Sequence, residues 1–185
     1  ITSAEDYGLG IVPSDLVQPN NADVIIKNGT INVTGEETIG VATNGTLSGI
    51  NVELVDVNIT SDGLGVYLPA DGWYFIEGGS VKGGSTAVEI RAGMLELRGA
   101  SLTGGNGEYS VSPNGSGSTT KNAALAVAQH TTKMPVQVNV EDCTLTATTA
   151  LSQADPQNNA QTDVAVNVNG GEFNGDMVNT SAGSA

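Results

Sequence analysis

Three segments within residues 52–103 superpose on one another position by position. They are Val52-Glu53-Leu54-Val55-Asp56-Val57-Asn58-Ile59, Tyr74-Phe75-Ile76-Glu77-Gly78-Gly79-Ser80-Val81 and Leu95-Glu96-Leu97-Arg98-Gly99-Ala100-Ser101-Leu102. Each has apolar residues at alternate positions, then a small two-residue corner, a hydroxyl or amide, and a closing apolar residue. The closing residues Ile59, Val81 and Leu102 stand 22 and then 21 residues apart. A single packed core does not require such regularity. A solenoid does, because each repeat must bury its apolar face against the next.

Aligning on the closing residue extends the pattern to six lines, ending at Ile31, Ile59, Val81, Leu102, Leu145 and Phe173. Five positions back stand Ile26, Leu54, Ile76, Leu97, Val140 and Val168. Two positions back stand Gly29, Val57, Gly79, Ala100, Cys143 and Gly171. Alternation sends every second side chain inward, so each line predicts two strands joined by a tight corner. A third apolar run follows: Ile39–Ala42, Gly65–Leu68, Ala87–Ile90, Ala124–Ala128 and, more weakly, Ala150-Leu151 and Met177-Val178. The expectation is an all-β parallel β-helix of about six coils of three strands over residues 22–185. Residues 1–21 do not fit the repeat. They carry Tyr7, Leu9, Ile11, Leu16 and Val17 and are expected to form an N-terminal cap over the open core.

Composition agrees and limits the partners. Charged residues make up 14% and aromatics 4%, with 25 glycines, which suits stacked small and β-branched side chains. The formal charge is -14 with six Lys and Arg in total, which argues against nucleic acid and anionic membrane surfaces as partners. No run approaches the ~20 apolar residues of a membrane span. The chain begins at Ile1 and ends in Ser-Ala-Gly-Ser-Ala, so it is expected to be part of a longer, exported product.

The columns resemble the right-handed parallel β-helix proteins of the pectate-lyase-like superfamily over roughly residues 24–178. That resemblance implies a right-handed, single-stranded helix. It also implies a polysaccharide-binding groove on the outer face of the third strands, carrying Tyr67, Glu89 and Arg91. The insertion 104–122 would wall one side, and the loops 129–135 and 153–162 the other. Trp73 is expected at the loop corner beside Tyr67, and His130 and Lys133 in the facing loop. Aromatic faces and hydroxyl-bonding groups are natural sugar contacts.

The residues bear on catalysis as well. Glycoside hydrolysis needs two positioned carboxyl groups, and this face offers one, Glu89, with Arg91 two residues on. The paired Asp-Asp and Gly-His-Gly signatures of the hydrolases are missing. A second carboxylate would have to come from Glu108, Asp155 or Asp163. Glu89→Gln would then abolish turnover. One histidine and one cysteine do not make a zinc set. Calcium would need scattered loop carboxylates, because the glycine-aspartate nonapeptide repeat is missing, so no cofactor is expected. Glu141 is expected outward beside Arg98 and Glu77, and Asp142 and Cys143 in a corner. The favoured expectation is a secreted or cell-surface bacterial binding or adhesin-like module for a glycan or other host or cell-surface ligand. The alternatives are a polysaccharide lyase or hydrolase and a structural spacer.

Overall fold

The computed structural model describes residues 1–4, 6–13, 20–113, 117–156 and 163–180. Every regular element among them is a strand. The chain passes repeatedly through three strand positions, and the strands at each position pair in parallel with those of the passes before and after. The architecture is all-β with long parallel sheets, compatible with a β-helix.

The first ladder holds Asp23–Lys27, Ser48–Val55, Asp71–Glu77, Gly93–Arg98, Val136–Glu141 and Val164–Asn169, in that spatial order. The second holds Thr30–Val33, Asn58–Ser61, Ser80–Gly83 and Ser101–Thr103, and the third Ile39–Thr43, Leu64–Leu68, Val88–Ile90 and Ala123–Ala128. The long strand Thr144–Ala154 runs through both positions, as does Glu172–Asn179. The register matches the sequence columns. Ile31, Ile59, Val81, Leu102, Leu145 and Phe173 form one continuous row of partners. Ile26, Leu54, Ile76, Leu97, Val140 and Val168 form another. The inward rows of the three ladders meet in one aliphatic core, where Leu54, Ile59, Leu95, Leu97 and Leu102 are almost fully buried.

Two short strands lie in the segment expected as a cap. Thr2–Ser3 pairs with the second ladder and Tyr7–Ile11 with the third. Parallel pairing therefore begins ahead of Val24. Leu16 and Val17 lie outside the described residues.

The corner between the first and second ladders explains a column that looks mixed in sequence. Asn28, Asp56, Gly78, Gly99, Asp142 and Gly170 occupy it, and all six have φ between 51° and 82°. Only Gly, and with small penalty Asn and Asp, adopts that left-handed conformation readily. The next column faces the core closely. A Cβ on Gly79 would collide with the Val57 carbonyl. Cys143, in the same column, is buried with its Sγ 3.3 Å from the Glu141 carbonyl. Burial pushes its thiol up from the ordinary value, so it packs as a small apolar group.

Candidate functional site

Alternation in the third ladder turns Tyr67, Glu89 and Ala126 to the outside, side by side in register. An open groove was the expectation for this face, and the structure corrects it. Tyr67 is 7% exposed, and Glu89 and Arg91 are 0% exposed. The described part of the insertion 104–122 crosses the face as a strap instead of standing beside it, with residues 117–120 bonded to Glu89 and Arg91. Its two ends pair antiparallel, Ser110–Val111 with Thr120–Lys121, and Tyr109 reaches the Ser152 hydroxyl at 2.7 Å.

Backbone polar groups laid on a sheet need partners. Glu89 and Arg91 supply them. The Glu89 carboxylate accepts the Ser118 hydroxyl, the Thr119 N–H at 2.9 Å, the Thr119 hydroxyl at 3.0 Å and the Thr120 N–H at 3.3 Å. Arg91 donates from Nη1 to the Gly117 carbonyl at 2.6 Å and from Nη2 to the Gln129 carbonyl at 2.8 Å. Both side chains are spent on holding the strap and the following loop. Neither can meet a ligand, so neither remains a ligand-binding residue or a general acid.

Trp73 is also corrected. The strand expected to begin at Tyr74 begins at Asp71, which makes Trp73 an outward residue of the first ladder, paired with Asn51 and Met94. It does not join Tyr67. It is 37% exposed and stacks on Phe75, with centroids 5.6 Å apart and planes 7° apart. Its Nε1 points to Glu96 Oε1 at 3.5 Å, and Arg98 lies 5.3 Å over Phe75. The neighbouring charges alternate as expected, with Arg98 3.4 Å from Glu141. This is a surface ladder of ring and charge contacts.

What remains open beside the strap is a cleft of about 530 Å³, lined by Tyr7, Thr43, Asn44, Tyr67, His130 and Thr132, among others. Gly117 and Ser118 of the strap border it. Among the described residues no Asp, Glu, Lys or Arg lines it. Two expected site residues, Tyr67 and His130, thus do converge. Lys133 is exposed just beyond, where its N–H closes a turn on the His130 carbonyl at 3.0 Å. Tyr7 and the 43–46 corner were missed as contributors. The signal for Tyr7 was its apolar alternation with Leu9 and Ile11, which marks a strand. The strap also borders a depression of about 620 Å³ with Glu36, Glu37, Asp62 and Lys121 in its wall. There Asp62 is engaged by the Gly35 N–H at 2.8 Å. Among the described residues no group of three or more His, Cys, Asp or Glu side chains is placed to hold a metal ion.

The buried Arg91 acts on two groups of the cleft, Tyr67 and His130. Burial pushes the Tyr67 hydroxyl up to about 12, with Arg91 opposing, so it stays a phenol. Arg91 only donates hydrogen bonds, so the Tyr67 proton finds no acceptor there, and its hydroxyl has no hydrogen-bond partner in good geometry. Burial, and then Arg91, hold His130 below its ordinary 6.5. Its Nδ1 accepts the Thr132 N–H at 3.2 Å, so the proton of the neutral ring sits on Nε2. That edge of the ring faces Gly45, where a Cβ would stand 3.2–3.3 Å from Cε1 and Nε2.

Glu89 and His130 give opposite pH trends. Burial raises the Glu89 carboxyl above its ordinary 4.5, although the strap donors and Arg91 oppose this. Its contribution to stability is complete below 4.5 and is lost as pH rises above that value. His130, lowered, contributes stability above 6.5 that is lost as pH falls below it. Urea midpoints measured from pH 4.5 to 8 should therefore show a smaller fall with rising pH in Glu89→Gln than in the unaltered protein. Identical slopes would show that Glu89 is not the buried titrating group.

Comparison with protein-family models, curated proteins and solved structures finds no match.

Proposed function

We propose that this chain is a carbohydrate-binding, adhesin-like module displayed on or exported from a bacterial cell. In this proposal its parallel ladders form a right-handed, single-stranded β-helix of about six coils, of the pectate-lyase-like kind. The observation that carries the functional reading is the cleft at Tyr7, Tyr67 and His130. It joins aromatic surface to hydroxyl, amide and imidazole groups, with no charged lining residue among the described ones. Sugars offer C–H faces for rings and hydroxyls for such groups.

The lyase or hydrolase alternative is disfavoured by the fate of Glu89. Both its oxygens already accept bonds from the strap, so it can serve neither as one of the two carboxyl groups that hydrolysis needs nor as the base of an elimination.

A glycan array tests the reading directly. The unaltered protein should bind a subset of glycans. Tyr7→Ala should weaken that binding by about tenfold, the loss of one good contact. Trp73→Ala, on the first ladder, should leave it unchanged. Binding abolished by Trp73→Ala and untouched by Tyr7→Ala would move the site to the other face. An array without hits would favour the spacer.

A further inference from the structure

We infer that the outer face of the first ladder carries a docking site for an arginine side chain of a partner protein, built by Trp73 and Asp71. Alternation along the strand Asp71–Glu77 sends Asp71, Trp73, Phe75 and Glu77 outward, in the order acid, ring, ring, acid. The two rings are stacked, so Phe75 covers one face of Trp73. Asn51 and Met94 flank Trp73 on the neighbouring strands, and Glu96 Oε1 lies 3.5 Å from its Nε1. The face toward Asp71 is left, and Trp73 is 37% exposed. Among the described residues the Asp71 and Glu77 carboxylates have no ion pair and no side-chain hydrogen bond.

The same face already holds an arginine of its own in this way. Arg98 stands 5.3 Å over Phe75, and its guanidinium meets Glu96 at 3.1 Å and Glu141 at 3.4 Å. Trp73 with Asp71 offers the same two elements, a ring and a carboxylate, and indole is the stronger platform for a cation. None of the chain's six Lys and Arg stands over Trp73. Lys27 is paired with Glu53 at 2.9 Å, and Arg91 is buried under the strap. Lys82 faces out from the second ladder, and Lys121 lies in the strap. Lys133 precedes the strand Val136–Glu141, which the strand Gly93–Arg98 separates from Trp73. The formal charge of -14 favours the approach of a basic partner. Arginine suits the site better than a quaternary ammonium, which has no N–H for Asp71. It also suits it better than lysine, whose ammonium cannot lie flat on a ring while bonding a carboxylate in the same plane.

Trp73 is the only tryptophan, so its fluorescence reports on the site directly. The titrants are a short capped peptide with two arginines, the same peptide with lysine or with citrulline in their place, and choline. The arginine peptide should change the emission and saturate. The lysine peptide should bind a few-fold more weakly, and the citrulline peptide, which keeps the shape without the charge, should not bind. Calorimetry then compares variants whose thermal melts report an intact fold. Trp73→Ala should weaken binding of the arginine peptide at least about fivefold, and Asp71→Asn about threefold. Glu36→Gln, which removes an exposed acid elsewhere, should leave it unchanged. An equal loss in Glu36→Gln would mean attraction to the overall charge alone and would overturn the inference. Full binding by Trp73→Ala, tighter binding of choline or of the citrulline peptide, or no saturable binding would overturn it as well. Glycan binding at Tyr7 is a separate readout, so the carbohydrate reading and this site can each fail without the other.

Discussion

Glu89→Ala should cost about 3–5 kcal/mol of folding stability, the range for removing one partner of a buried charged network. The carboxylate is the acceptor for the donors of Ser118, Thr119 and Thr120. Without it, two backbone N–H groups and two hydroxyls lie on an apolar sheet with nothing to receive them, and Arg91 loses the charge beside it. The strap should then lift. Glu89→Gln keeps the shape but turns an NH2 toward backbone donors, and should lose a smaller amount, about 1–3 kcal/mol. Urea unfolding measures both. Hydrogen exchange at residues 117–120 should rise before that of the ladders. An alanine variant as stable as the original would mean that the strap is held by something else.

Gly79→Val should cost about 2–6 kcal/mol, combining backbone strain with forced displacement of a packed neighbour. Gly79 has φ of 61°, which a β-branched residue resists. The new side chain would also drive into the Val57 carbonyl. Val57 sits one pass of the chain earlier in the same column, yet it is not among the residues with positive φ. The penalty thus belongs to the conformation at Gly79, not to the column. Ser80→Val, one residue on and half-buried, serves as a comparison and should lose far less. Comparable thermal shifts in the two variants would contradict the corner argument.

Much of the fold was legible because the parallel register repeats one chemical rule. Ile59, Val81 and Leu102 recur in sequence because they are neighbours in space. The left-handed corner explains why Asn, Asp and Gly interchange there. The candidate site was harder to read. Where an insertion lands depends on non-local polar partners, and no period encodes them. A clue was present, however. Glu89 and Arg91 are the lone charges in a column whose neighbours are Tyr67, Ala126, Ala128 and Ser152. Charges stranded among small and aromatic residues mark a covered face and not an open groove. Trp73 was misplaced because its strand starts earlier than the repeat implies, and strand starts are set by pairing with Asn51 and Met94.

The ladders also govern how the chain can reach its native state. Each pass finds its partners a short distance back along the chain, 22 residues for Val81 and Ile59 and 28 for Phe173 and Leu145. Assembly can therefore advance as a growth front, adding one pass to a finished edge, without any distant search. The longest step is the one that contains the strap, from Leu102 to Leu145, 43 residues against the earlier 21. A doubled loop adds only about 0.6 kcal/mol of closure entropy, so the front should slow there by about threefold and then resume.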